Sequence, residues 1–144
     1  MAMTCAFLGM GTMGFSMSKN LLAKGFPVQA WNRSFEKAKA LEEFGGKACE
    51  RPSEAVDGAD LVHLCLTDGD AVKNVLADCE ANFRAGRKPL AVLDHSTIAP
   101  FQVLEIADSL KRFEIPFIDA PVTGGDVGAK NGTLTFMVGG DADA

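Results

Sequence analysis

Several large classes of protein are excluded by what this sequence does not contain. No apolar run approaches the ~20 residues that span a bilayer, and Met1-Ala2-Met3-Thr4-Cys5 shows neither a basic segment before its short apolar run nor a small-residue cleavage site after it. No secretory signal and no membrane partner are therefore expected, and the default location is cytoplasmic. Basic residues are in the minority, 14 Lys and Arg against 19 Asp and Glu for a net charge of −5. The broad cationic footprint that grips a phosphate backbone is missing, so nucleic acid is not an expected partner. The four cysteines, Cys5, Cys49, Cys65 and Cys79, include no C-x-x-C pair, and no histidine is spaced to complete a zinc site. They read as reduced core thiols. His63 and Cys65 alternate onto one face of a predicted strand, but two ligands without a third leave no metal expected. With only 6 Pro, no biased segment and no internal repeat, neither disorder nor a solenoid is indicated.

What is present is the composition of one compact domain: 144 residues, 47% apolar and 23% charged. Strand and helix patterns alternate along it. Thr4 to Leu8 is a short apolar run stopped by glycine. Thr12 to Lys24 follows with Met13, Met17 and Leu21 at helical spacing. Pro27 to Trp31 reads as a second strand, and Ser34 as the cap of a helix running through Leu41. A short strand near Lys47 to Cys49 and a short helix from Ser53 come next. Leu61 to Leu66, six apolar or half-apolar residues in a row, suits a central strand buried on both faces. Asp70 to Phe83 reads as a helix, Leu90 to Leu93 as a strand, and Pro100 opens a helix whose stripe is Val103, Ile106, Ala107, Leu110 and Phe113. Phe117-Ile118 and Leu134 to Val138 are expected as the last strands, with Gly128 to Gly132 in a loop between them. The alternation predicts a mainly parallel sheet with helices on both faces.

Between the first strand and the first helix stands Gly9-Met10-Gly11-Thr12-Met13-Gly14. In a G-x-G-x-x-G so placed, the first glycine makes the turn, the second lets a pyrophosphate approach the backbone and the third lets helix and strand pack closely. The helix N-terminus offers free N–H groups to the anion. The fold class is then a Rossmann-type, doubly wound α/β domain, with residues 1–144 forming one dinucleotide-binding domain. About 20 residues on, where an acid would bind a ribose 2′-hydroxyl, the chain has Asn32-Arg33-Ser34. A guanidinium can pair with a 2′-phosphate that a carboxylate would repel. NADP is the expected cofactor, with NAD as the alternative.

The sequence resembles the β-hydroxyacid dehydrogenase family, which includes 3-hydroxyisobutyrate dehydrogenases and glyoxylate or succinic-semialdehyde reductases. The resemblance rests on Phe7 to Gly14 with Met17 and Asn20-Leu21, Trp31 to Ser34, Cys65 to Asp68, Asp94-His-Ser-Thr97 with Pro100, and Asp119 to Gly125. It implies that Leu66 and Thr67 line the adenosine side of the cofactor, that Thr97 lies near the nicotinamide ribose, and that Thr123, Gly124 and Gly125 hold the carboxylate of a small substrate. Thr123 stands where the family usually has serine. The implied reaction is hydride transfer between the nicotinamide and a short 3-hydroxyacid or semialdehyde. The family's catalytic lysine and its all-helical substrate and dimerisation domain belong beyond Ala144, so the domain is expected to be incomplete at its C-terminal end and to hold no catalytic residue of its own. Lys130 does not match the motif. A homo-oligomer is implied for the complete enzyme. An imine reductase and a non-catalytic NADP-binding module are the alternative readings.

Overall fold

The computed structural model describes residues 1–143. Six strands, β1 (Cys5–Leu8), β2 (Val28–Trp31), β3 (Lys47–Cys49), β4 (Leu61–Leu64), β5 (Ala91–Asp94) and β6 (Phe117–Asp119), form one sheet in the order β3-β2-β1-β4-β5-β6. Every pairing in it is parallel. Parallel strands need crossovers, and these are the helices α1 (Thr12–Ala23), α2 (Phe35–Lys39) with a 3-10 turn at Ala40–Phe44, α3 (Pro52–Val56), α4 (Gly69–Arg84) and α5 (Pro100–Lys111). The Rossmann-type arrangement is thus realised, with helices on both faces.

Side chains alternate across each strand, so each strand feeds two cores. Ala6, Leu8, Val62, Leu64 and Val92 face α3, α4 and α5 and are wholly buried. Burial of an aliphatic side chain of this size stabilises by ~1.5–3 kcal/mol. Cys5, Phe7, Val28 and Ala30 face the other way, with Met17 of α1 and Leu41 of the 3-10 turn. On that second face Phe7, His63, Leu93 and Ile118 stand in register across β1, β4, β5 and β6. With His95, Leu134 and Phe136 they wall a cavity of about 720 Å³ beside α1.

Three elements differ from the sequence expectation. The central strand ends at Leu64, and its burial alternates, because only its Val62 and Leu64 side chains lie under fully packed helices. Gly128 to Gly132, expected in a loop, lies mostly within α6 (Gly125–Asn131), which packs on α1, where Asn20 Nδ2 donates to Ala129 O at 2.7 Å. Leu134 to Val138 does not join the main sheet. Only β8 (Thr135–Phe136) is paired, antiparallel to β7 (Val122–Thr123), after which Gly139 bridges Asp119. The positive φ of Gly124 and Gly125 turns the chain into α6, and that helix returns it beside β7 instead of beyond β6.

Candidate cofactor site

All six strands of the sheet are parallel, so their carboxyl ends share one edge, and the loops leaving that edge carry the residues singled out from sequence. Gly9 follows β1, Asn32 follows β2, Cys65 and Leu66 follow β4, and His95 to Thr97 follow β5. Such an edge is where ligands bind in open α/β sheets.

The glycine loop divides into residues the fold requires and one it does not. Gly9 has φ +109°, and a Cβ there would stand 2.2 Å from Cys65 O. A Cβ on Gly14 would stand 2.0 Å from Gly9 O. Both positions exclude any side chain. Gly11 is exposed, with φ −66°, and a Cβ on it would meet no atom within 4 Å. Protein packing does not demand glycine at that point, whereas a pyrophosphate drawn against the backbone would. The next residues open α1, whose first N–H groups have no intrahelical acceptors. Met10 contributes through its backbone, since its side chain is buried and its N–H donates to Asn32 Oδ1 at 2.9 Å. Thr12 is exposed and Met13 half-buried.

Asn32 also donates from Nδ2 to Ser34 O at 3.0 Å. It ties the loop after β2 to the glycine loop and leaves Arg33 and Ser34 exposed beside them. Arg33 makes no ion pair among the described residues. The Ser34 hydroxyl does not cap α2. Its role as a helix cap is therefore not realised. Leu66 packs against Gly9, with its Cδ2 3.0 Å from where a Cβ on that glycine would lie. Thr67 and Thr97 are exposed on neighbouring loops.

Thr123, Gly124 and Gly125 are also exposed and lie at the start of α6. Lys130 sits in the last turn of that helix, at the end away from them. The N–H groups of its first turn have no intrahelical acceptors, and no side chain caps them.

Three residues that the sequence motifs contain without a role of their own have one in the structure. Asp68 caps α4, its Oδ1 accepting from Ala71 N at 2.8 Å; an acid ahead of a helical stripe was the available signal. Ser96 accepts from Leu66 N through Oγ at 2.8 Å, and its own N–H donates to Asp94 Oδ1 at 2.9 Å. Burial pushes the Asp94 carboxyl up to about 6, hydrogen bonds from Ser96 oppose this, and Asp119 adds to it. Its Oδ2 has no partner among the described residues.

His63 Nδ1 lies 3.0 Å from His95 Nε2, and His95 Nδ1 lies 3.0 Å from Ala120 O. Burial lowers the pKa of both rings, that of His63 to about 3 with His95 contributing. Burial raises all four thiols, Cys79 to about 12, so they remain protonated and unreactive at neutral pH. Among the described residues no group of three or more His, Cys, Asp or Glu is gathered around a metal position, and no helix is long and apolar enough to cross a membrane.

Known proteins match this arrangement over nearly the whole chain. Residues 4–144 match the family model for the NAD binding domain of 6-phosphogluconate dehydrogenase. A 3-hydroxyisobutyrate dehydrogenase of Pseudomonas aeruginosa is 37% identical over 139 residues, which cover 96% of this chain and 46% of that protein. An NAD-dependent L-serine dehydrogenase of the same organism is 37% identical over 139 residues, 96% of this chain and 47% of that protein. The solved structure of Mycobacterium tuberculosis 3-hydroxyisobutyrate dehydrogenase with L-serine superposes with a TM-score of 0.88 at 35% identity, covering 99% of this chain and 48% of that one. The chain thus spans about half the length of these relatives. Glycine loop, strand order and sequence identity agree: the chain belongs to the β-hydroxyacid dehydrogenase family, as its NAD(P)-binding domain.

Proposed function

We propose that this domain binds NADP(H) in preference to NAD(H) and serves an oxidoreductase that moves a hydride between the nicotinamide and a short 3-hydroxyacid or semialdehyde. The observation that carries the cofactor preference is the exposed, unpaired Arg33 beside the glycine loop, flanked by Ser34 and tied there by Asn32. No carboxylate occupies the end of β2 to accept a 2′-hydroxyl or repel a 2′-phosphate. One relative is named as NAD-dependent, so the preference rests on these residues and not on kinship. The pyrophosphate would lie against Gly11 and the first N–H groups of α1, with Leu66, Thr67 and Thr97 along the remainder of the dinucleotide.

The substrate carboxylate would be held by Thr123, Gly124 and Gly125. Consecutive N–H groups at a helix start and one hydroxyl make an anion site that needs no side-chain charge. The structure of the mycobacterial relative holds L-serine, a small carboxylate. On this reading none of these residues exchanges the hydroxyl proton, and the 144-residue chain by itself is expected to bind cofactor without turnover. In the complete enzyme that proton, and the contacts of a homo-oligomer, would come from further polypeptide.

Calorimetric titration with NADPH and NADH tests the cofactor reading. Arg33→Ala is expected to weaken NADPH by ~1.5–3 kcal/mol, the worth of hydrogen bonds to a charged group, and to leave NADH nearly unchanged. Equal affinity of the unmutated chain for both cofactors would overturn the preference.

A further inference from the structure

Between β4 and β5 the backbone ladder runs one residue past the strands, to the bond from His95 N to Leu64 O at 2.8 Å. Beyond that point the two chains part, which opens the edge of the sheet. Leu66 N–H then takes the Ser96 hydroxyl instead of a backbone carbonyl, at 2.8 Å. Ser96 is 3% exposed and Asp94, whose Oδ1 receives the Ser96 N–H, is 0% exposed. One hydroxyl therefore joins two loops thirty residues apart in sequence, and a buried carboxylate holds the residue that carries it.

Given the proposed cofactor reading, on which this rests, we propose that Ser96, held by Asp94, is a positioning residue that sets the spacing between the loop bearing Leu66 and Thr67 and the loop bearing Thr97. Neither side chain need touch the ligand. Leu66 packs against Gly9, which keeps its loop seated on the glycine loop, while Ser96 immediately precedes the exposed Thr97, so the Ser96 bond fixes the Thr97 loop relative to that packed pair. A whole dinucleotide spans both loops and feels their separation. A nucleotide fragment held by the glycine loop, Arg33 and the Leu66 loop, and ending short of Thr97, does not.

That difference separates positioning from simple destabilisation. Purified chain, unmutated and as Ser96→Ala, is titrated with NADPH and with adenosine 2′,5′-bisphosphate at a temperature where both proteins are folded. Loss of one net hydrogen bond in the strap is expected to weaken NADPH about tenfold and the bisphosphate by less than about threefold. Ser96→Cys, nearly the same shape with a weaker acceptor, is expected to fall between. If Ser96→Ala does not fold, Asp94→Asn replaces it; this variant retains an oxygen for the Ser96 N–H and is expected to show the same bias against NADPH at smaller size. Equal weakening of both ligands, or unchanged NADPH affinity, overturns the proposal. An unmutated chain that binds neither ligand overturns the cofactor reading first and the proposal with it. A chain that binds both and shows no bias in the variants overturns the proposal alone.

Discussion

On one side of the sheet Ala6, Leu8, Val62, Leu64 and Val92 are wholly buried beneath α3, α4 and α5, while on the other, one residue along in each strand, Phe7 is buried but His63, Leu93 and Ile118 are only half-buried. The strands are the same; the cover differs. Three helices close the first side across β1, β4 and β5, whereas on the second side α1 covers the β1 end and the row thins into the cavity toward β6. The closed side is lined mainly by aliphatic carbon, with Cys79, Phe83 and Phe117 among it. The open side accommodates two imidazoles among Phe7, Leu93, Ile118 and Phe136. Parallel sheets are ordinarily covered on both faces, so the faces differ in how far each residue leaves water on folding, and hence in what each contributes.

Paired truncations test this difference most strongly. Leu64→Ala is expected to cost ~2–5 kcal/mol of unfolding free energy, the range for a buried leucine that leaves a cavity. Leu93→Ala, half-buried beside space that already exists, is expected to cost about 1 kcal/mol. Urea unfolding of both variants measures it, and similar losses would mean that the second side is as well packed as the first.

The imidazoles sharpen the comparison through pH. The His63 pKa lies near 3 in the folded chain, against an ordinary 6.5, so protons bind the unfolded state preferentially between those values. Stability should fall as pH drops through this window, at up to ~1.4 kcal/mol per pH unit, and level off below about 3. Asp94, pushed up from 3.8 to about 6, acts with the opposite sign: its contribution is lost as pH rises from 3.8 toward 6. Thermal melts from pH 7 to 4 should therefore show a shallower acid loss in His63→Leu than in the unmutated chain, and a steeper one in Asp94→Asn. A His63→Leu profile parallel to that of the unmutated chain would place the sensitivity elsewhere.

The smallest effect is expected at the cavity rim. Phe136 is 45% exposed and meets His95 edge-on with ring centres 5.5 Å apart. Phe136→Ser should change stability by no more than ~0.5 kcal/mol, as exposed substitutions do. A loss above 1.5 kcal/mol in chemical unfolding would show that the hairpin of β7 and β8 is part of the core.

Local patterns made most of the sheet legible in the sequence. Glycine after a short apolar run, followed by a helical stripe, places β1, the phosphate loop and α1 without knowledge of any distant contact. Leu134 to Val138 misled because an apolar run does not reveal its partner, and the turn at Gly124-Gly125 sends that run to Val122–Thr123. The chemistry of Asn32 is visible in the sequence, but its bond to Met10 N depends on β1 and β2 lying side by side. Ser96 and Leu66 are joined only where two loops diverge, which no spacing in the chain announces. The half-open face was hidden for the same reason: Leu61 to Leu66 is apolar enough for burial on both sides, and coverage is decided by helices far away in sequence.

A carbonyl oxygen only accepts, so the nitrogen of His95 that lies 3.0 Å from Ala120 O carries its proton there. Both rings are neutral at ordinary pH, and His95 Nε2 is then a lone pair that takes the proton of His63 Nδ1. His63 Nε2 ends the line as a second lone pair, with no partner among the described residues. The two histidines thus have a direction. His63 Nε2, itself buried, can therefore only accept a hydrogen and cannot give one. The polarity of the pair is fixed two rings away by the backbone of an alanine, a residue with no functional group of its own.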